Sequence, residues 1–140
     1  MPTEYPPRVM ALFDAPVNLA PLTPAPARIV VGEAGAFSSG TRVVFEADVD
    51  DGVIRRLAFR AYGCPYVIAA CGRVTQQLVQ QPVAALNEWS PAALAAELNV
   101  PAGKFGSLLI IQDALRNCFR GWDTRRLPAG VGPLVSAPEL

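Results

Sequence analysis

The chain has 140 residues, 51% of them hydrophobic, with twelve basic and twelve acidic residues and no histidine. That length supports one domain with a real core, the cancelled charge without a basic block speaks against a nucleic-acid partner, and no apolar run approaches the roughly 20 residues of a membrane-spanning helix. The missing histidine removes Ser-His-Asp and Cys-His catalysis and His-rich metal sites, so any chemistry rests on thiols, carboxylates or backbone groups.

Seven of the fourteen prolines fall within residues 1–28, so this arm is not one regular element, although Val9 to Phe13 suit a short helical turn packed on the body. Residues 29–31 read as a short strand, and the small-residue run from Gly32 to Gly40 as a loop. From Thr41, Val43, Phe45, Ala47 and Val49 alternate with more polar neighbours. Asp50, Asp51 and Gly52 form a turn signal, and alternation resumes at Val53, with Leu57, Phe59 and Ala61 opposed by Arg56 and Arg60. The expectation is a β-hairpin over 41–62, with Asp48, Asp50 and Asp51 read as its solvated tip rather than a cation site.

Helical spacing follows: Val67, Ala70, Cys71, Val74 and Leu78 make one apolar stripe, with Pro82 as the stop. Ser90 and Pro91 suit the N-cap and first position of another helix running to about Leu98. The last helix is expected over about 105–119, with Leu108, Ile111, Leu115, Cys118 and Trp122 as its stripe and Gly121 as its end. Residues 29–122 are then the folded domain and 123–140 a loose tail.

The three cysteines are an odd number without disulfide-framework spacing, which fits a reducing compartment. The N-terminus has neither the basic region nor the apolar stretch of a secretory signal, so a soluble, cytoplasmic protein is expected. Cys64 lies between Gly63 and Pro65 where a strand gives way to a helix. Near an N-cap, unbonded N–H groups and the helix dipole favour the thiolate, which is both the nucleophile and the metal ligand. The competing reading is a buried, inert cysteine. Cys71 and Cys118 sit on apolar stripes and read as core. With one candidate nucleophile and no general base beside it, an enzyme is not expected.

The run "FRAYGCPYVIAACGRVTQQLV", with "DDGVI" before it, resembles the NifU N-terminal, or IscU-type, iron–sulfur cluster assembly scaffolds. Tyr62-Gly63-Cys64, Ile68-Ala69-Ala70 and Val74-Thr75 match the core motif of that family. Val9, Phe13, Pro16 and Asn18 upstream, and Leu98, Pro101, Lys104, Asp113 and Ala114 downstream, keep the same order over about residues 5–120. The resemblance implies an α+β fold, a three-stranded antiparallel sheet with helices packed on one face. It also implies a ligand set of three cysteines and an aspartate, often joined by a histidine. On that mapping only Cys64 survives. Ser39 stands at the first cysteine, Thr41 at the aspartate, Gly106 at the histidine and Ser107 at the third cysteine.

The resemblance therefore implies an iron–sulfur cluster assembly role in which Cys64 is the sole remaining persulfide acceptor or iron ligand. Iron or a cluster would be held through Cys64 only, or not at all. Partners would be a cysteine desulfurase or other assembly proteins. A homodimer pooling two Cys64 thiolates with external thiols such as glutathione would supply four ligands. Pro101 and Lys104 are what remains of the family's chaperone-docking motif, here Val100-Pro101-Ala102-Gly103-Lys104, and its erosion argues against an Hsp70-type partner. The alternative is a decoy or regulatory protein that binds the assembly partners without carrying metal.

Overall fold

The computed structural model describes residues 5–22 and 29–125. A first helix, α1 (Pro7–Asp14), precedes the strands β1 (Ile29–Ala36), β2 (Thr41–Asp50) and β3 (Val53–Tyr62). Helices α2 (Pro65–Leu78), α3 (Ala85–Glu88), α4 (Ala92–Glu97) and α5 (Phe105–Arg125) follow. The strands form one antiparallel sheet in the order β1-β2-β3. Helix α5 packs on β1 and β2, α2 on β3, and α1 on α2. The α+β architecture with helices on one face of a three-stranded sheet is the one expected.

The core lies between that face and the helices. Val43, Phe45 and Ala47 of β2 meet Leu57 and Phe59 of β3, and the stripe Val67, Ala70, Cys71, Val74 of α2 closes over them. Leu108, Ile111, Leu115 and Cys118 of α5 complete it. Each fully buried side chain of this size contributes about 1.5–3 kcal/mol relative to exposure. The hairpin stands where the alternation put it, with one difference of phase. A register shift at Asp48/Val49 pairs Val49 with Ile54 and Asp48 with Arg56. One extra residue in β3 turns Ile54, rather than Val53, into the core. Asp48 is likewise not part of a solvated tip: its carboxylate is buried on the outer face and accepts from Nε of Arg56 at 2.9 Å.

The other differences have local causes. β1 runs on to Ala36 where a loop was expected from Gly32, because small residues there admit a helix rather than break the strand. A Cβ on Gly32 would stand 2.2 Å from the Cys118 nitrogen and 2.3 Å from the Ala114 oxygen, so α5 lies directly against the strand backbone. Helix α5 likewise passes through Gly121 to Arg125, and Phe119 packs on Trp122 with ring centres 5.8 Å apart. It thus covers the first residues of the expected tail, and the rest, 126–140, lies outside the described residues. Helix α2 ends at Leu78, before Pro82, because Gln80 turns to positive φ and its N–H donates to the Ile54 carbonyl at 2.7 Å. Ser90 does not cap α4: the N-cap is Pro91 and no side chain bonds there. α3 was not foreseen; its four residues are too few to show a period.

The arm packs as expected of Val9 to Phe13, with Val9 fully buried. Past α1, Asn18 donates from Nδ2 to Thr75 Oγ1 at 2.9 Å, and Thr75 in turn donates to the Gly72 carbonyl. The Ala20 N–H then bonds the Phe59 carbonyl at 2.8 Å and the Phe59 N–H the Asn18 carbonyl at 3.0 Å, so the arm lies along the outer edge of β3. Among the described residues no helix is long and apolar enough to cross a membrane.

Candidate functional site

Three pieces of chain meet at one end of the sheet. The β1–β2 connection, a 3-10 turn over Phe37–Ser39 closed by Gly40 at φ 88°, lies there because it precedes Thr41. Arg42 pairs with Tyr62, which brings the end of β3 and the start of α2 alongside. Helix α5 runs antiparallel to β1: Ile110 lies by Gly35, Ala114 and Cys118 by Gly32, and Gly121 by Val31. Its first turn, with Gly106 and Ser107, therefore belongs to the same end, as does the preceding 3-10 turn with Pro101 and Lys104.

Cys64 is the N-cap of α2, with Pro65 at the first helical position, as its Gly-Cys-Pro setting suggested. Its extended backbone, φ −77° and ψ 169°, lets its carbonyl receive the Val67 and Ile68 N–H groups at 2.9 and 3.2 Å. The side chain makes no capping hydrogen bond. The thiol is half-buried against the edge of the core, whereas Cys71 and Cys118 are fully buried. Burial pushes the Cys71 thiol far up and the Cys118 thiol up to about 12, so both stay protonated and inert at neutral pH.

The positions matched to family ligands share the neighbourhood but not the chemistry. Ser39 is exposed and its hydroxyl donates to the Ala36 carbonyl at 2.9 Å. Thr41 and Ser107 are half-buried, and Gly106 is bare, with nothing within 4 Å of where a Cβ would stand. Among the described residues no three His, Cys, Asp or Glu side chains are grouped to hold a metal ion. An iron–sulfur cluster needs about four soft ligands, and one thiol with neutral hydroxyls and a glycine does not fit it. Pro101 and Lys104 bracket one exposed turn, the Lys104 N–H donating to the Pro101 carbonyl at 2.8 Å.

The converging segments 36–45, 59–72 and 99–112 contain Arg42, Arg60 and Lys104 and no aspartate or glutamate. Arg42 pairs with Glu33, and Arg60 with Glu46 at 3.2 Å, from other parts of the strands. Phe37 and Tyr62 project into solvent at 63% and 53% exposure. This aromatic and guanidinium rim was overlooked in the sequence, although the alternation that set Val43 and Phe45 inward already placed Arg42, Arg60 and Tyr62 together on the opposite face.

The profile of the NifU-like N terminal domain matches residues 4–128, nearly the whole chain. This protein belongs to the NifU-like N-terminal domain family. Its curated relatives include the Iron sulfur cluster assembly protein 2, mitochondrial, of Saccharomyces cerevisiae, 24% identical over 127 residues that span 89% of this chain and 81% of the yeast protein. The iron-sulfur cluster assembly scaffold protein IscU of Rickettsia prowazekii is 25% identical over 123 residues, 87% of this chain and 94% of its own. Among solved structures, the N-terminal NifU-like protein of Brucella abortus superposes with a TM-score of 0.67 at 16% identity, over 87% of this chain and 95% of that one. The shared fold is that of other NifU-like domains.

Proposed function

We propose that this NifU-like protein serves iron–sulfur cluster assembly as a sulfur carrier, with Cys64 accepting sulfane sulfur from a cysteine desulfurase. The assembly role rests on the family and on relatives that are cluster assembly proteins. The observation that carries the residue is the contrast among thiols: Cys64 sits half-exposed at a helix N-terminus, while the other two are buried with raised pKa values. In the step, the Cys64 thiolate attacks the terminal sulfur of the donor's persulfide. The donor's sulfur–sulfur bond breaks, the donor leaves as thiolate, and Cys64 carries the persulfide. The electrons balance without an added oxidant. The three free thiols support a reducing, cytoplasmic setting.

The test is intact mass after incubation with a cysteine desulfurase and cysteine. The expected gain is one sulfur atom in the wild type and none in Cys64→Ser, with unchanged circular dichroism. Loading that persists in Cys64→Ser would sink the proposal. A second reading, a partner-binding protein without sulfur chemistry, is favoured by Ser39, Thr41, Gly106 and Ser107. It predicts desulfurase binding that Cys64→Ser leaves intact, with no mass gain in either protein.

A further inference from the structure

The sheet face turned away from α2 and α5 carries three large apolar side chains in solvent, Val31 at 52% exposure, Tyr62 at 53% and Phe37 at 63%. Val31 points outward because its neighbours Val30 and Gly32 face the core and α5. At one end of this face lies a depression of about 290 Å³ lined by Phe37, Arg42, Val44, Arg60, Ala61 and Tyr62. Phe37 and Tyr62 meet edge to face with centres 5.1 Å apart, and the Arg42 guanidinium lies over the Phe37 ring at 5.4 Å from its centre.

The charges of this face are matched across the strands, Arg42 with Glu33 and Arg60 with Glu46 at 3.2 Å. The depression therefore offers aromatic surface among balanced charges, which suits an uncharged apolar chain better than an ion. Exposed aromatic rings bordering a groove are how extended proline-rich segments are recognised. Proline rings pack on the aromatic faces, and a polyproline II backbone is already set and loses little entropy on docking.

The chain supplies such a segment. Residues 127–138, Leu-Pro-Ala-Gly-Val-Gly-Pro-Leu-Val-Ser-Ala-Pro, contain three prolines and no charged residue. They follow α5, whose Gly121 lies by the Val31 carbonyl and which ends at Arg125. Helix α5 thus delivers the chain to the end of the sheet opposite the depression, with exposed Val31 between the two. The way back from Arg125, around the β1 edge to the depression, is about 35 Å at 1.5 Å per helical residue, 3.3 Å per strand residue and about 10 Å for one layer. The residues from Arg126 to Pro138 span about 40 Å as polyproline II. Reach permits the contact, and the chemistry of segment and lining selects it.

We propose that residues 127–138 dock in this depression of their own chain, with proline rings on Phe37 and Tyr62. A partner that uses this end of the outer face has to displace the segment first, so the chain carries a built-in competitor for that surface. The inference is independent of any sulfur chemistry at Cys64.

The test uses the full chain. A nitroxide attached through Ser136→Cys, in a Cys64→Ser background, is expected to broaden the ring resonances of Phe37 and Tyr62 and the Val44 amide while sparing the hairpin tip at Asp50 to Gly52. No broadening at the depression, or equal broadening over the whole surface, overturns the docking. Broadening seen only when nitroxide-labelled chains are mixed with isotope-enriched wild type places a second copy's tail there and overturns the intramolecular assignment. A second measurement titrates a synthetic peptide of residues 127–138 into wild type and into Leu134→Asp/Val135→Asp protein, followed by the Val44 amide shift. The wild-type tail competes, so the peptide Kd is expected to be about tenfold lower for the variant. Equal Kd values, or no saturable binding to the variant, overturn the proposal. Adding Phe37→Ser and Tyr62→Ser, both at exposed positions, to that variant should abolish binding; binding that survives the loss of both rings belongs to another surface and overturns the site.

Discussion

Replacing Gly32 by alanine probes the contact that fixes α5 on the sheet. The added methyl carbon would stand 2.2 Å from the Cys118 nitrogen, 2.3 Å from the Ala114 oxygen and 2.6 Å from the Cys118 Cα. All three are backbone atoms, so no rotamer change relieves the overlap, and ordinary contact distances of about 3.5–4.0 Å require the helix to retreat by roughly 1 Å or more. Retreat unpacks Leu108, Ile111 and Leu115 from the sheet, so the cost joins overpacking to a new void, about 3 kcal/mol in all. That is a large share of the roughly 5–15 kcal/mol typical of a domain and lowers the melting midpoint by about 6–12 °C. Urea and thermal unfolding followed by circular dichroism measure it. Gly106→Ala is the control: with open space at the Cβ position in an exposed helical turn, it should gain up to about 1 kcal/mol. A Gly32→Ala protein within about 0.5 kcal/mol of wild type would refute the close-approach argument.

Under native conditions one thiol per chain, Cys64, should react with an aromatic disulfide reagent, and all three after denaturation; native labelling of Cys64→Ser contradicts the burial described. The two buried thiols also set an alkaline limit. Their folded pKa values lie above the usual 9.0, so the unfolded chain releases protons that the folded chain keeps. Stability is thus intact below about pH 9 and falls as pH rises toward about 12, by about 1.4 kcal/mol per unit for each thiol. Urea unfolding at about pH 8 and about pH 10.5 should show a steeper loss for wild type than for Cys71→Ala/Cys118→Ala, and equal slopes refute it. Rebuilding the matched ligand positions as Ser39→Cys, Thr41→Asp and Ser107→Cys should create a site that binds cobalt with thiolate charge-transfer absorption; a spectrum identical to wild type would mean that these positions do not converge on Cys64.

The hairpin, the stripes of α2 and α5, and the capping place of Cys64 were legible because each rests on a local period or a local turn. What escaped reading depends on partners distant in the chain. Gly32 looks like a loop residue until Ala114 and Cys118 are known to press on it, and Gly121 looks like a helix stop until β1 lies beneath it. Pro82 drew attention as a terminator, yet α2 ends earlier because Gln80 bonds to Ile54, a tertiary contact that no propensity reports. At the site, the thiol was visible from its neighbours in sequence. The Phe37 part of the rim was not, because it takes a turn folding over a strand to bring that ring onto Tyr62, which the hairpin register already sets beside Arg42.

The arm along β3 bears on how such a chain can be cut. Its bonds to Phe59, together with those of Gln80 and Gln81 to Ile54, occupy backbone groups that would otherwise line an open sheet edge. An open edge is a template for pairing with another molecule. A fragment begun at residue 29, where the first strand starts, would keep the three strands, α2–α5 and Cys64, but would lose Asn18 from Thr75 and uncover the middle of β3. Such a fragment should self-associate through that edge, which the arm covers in the full chain.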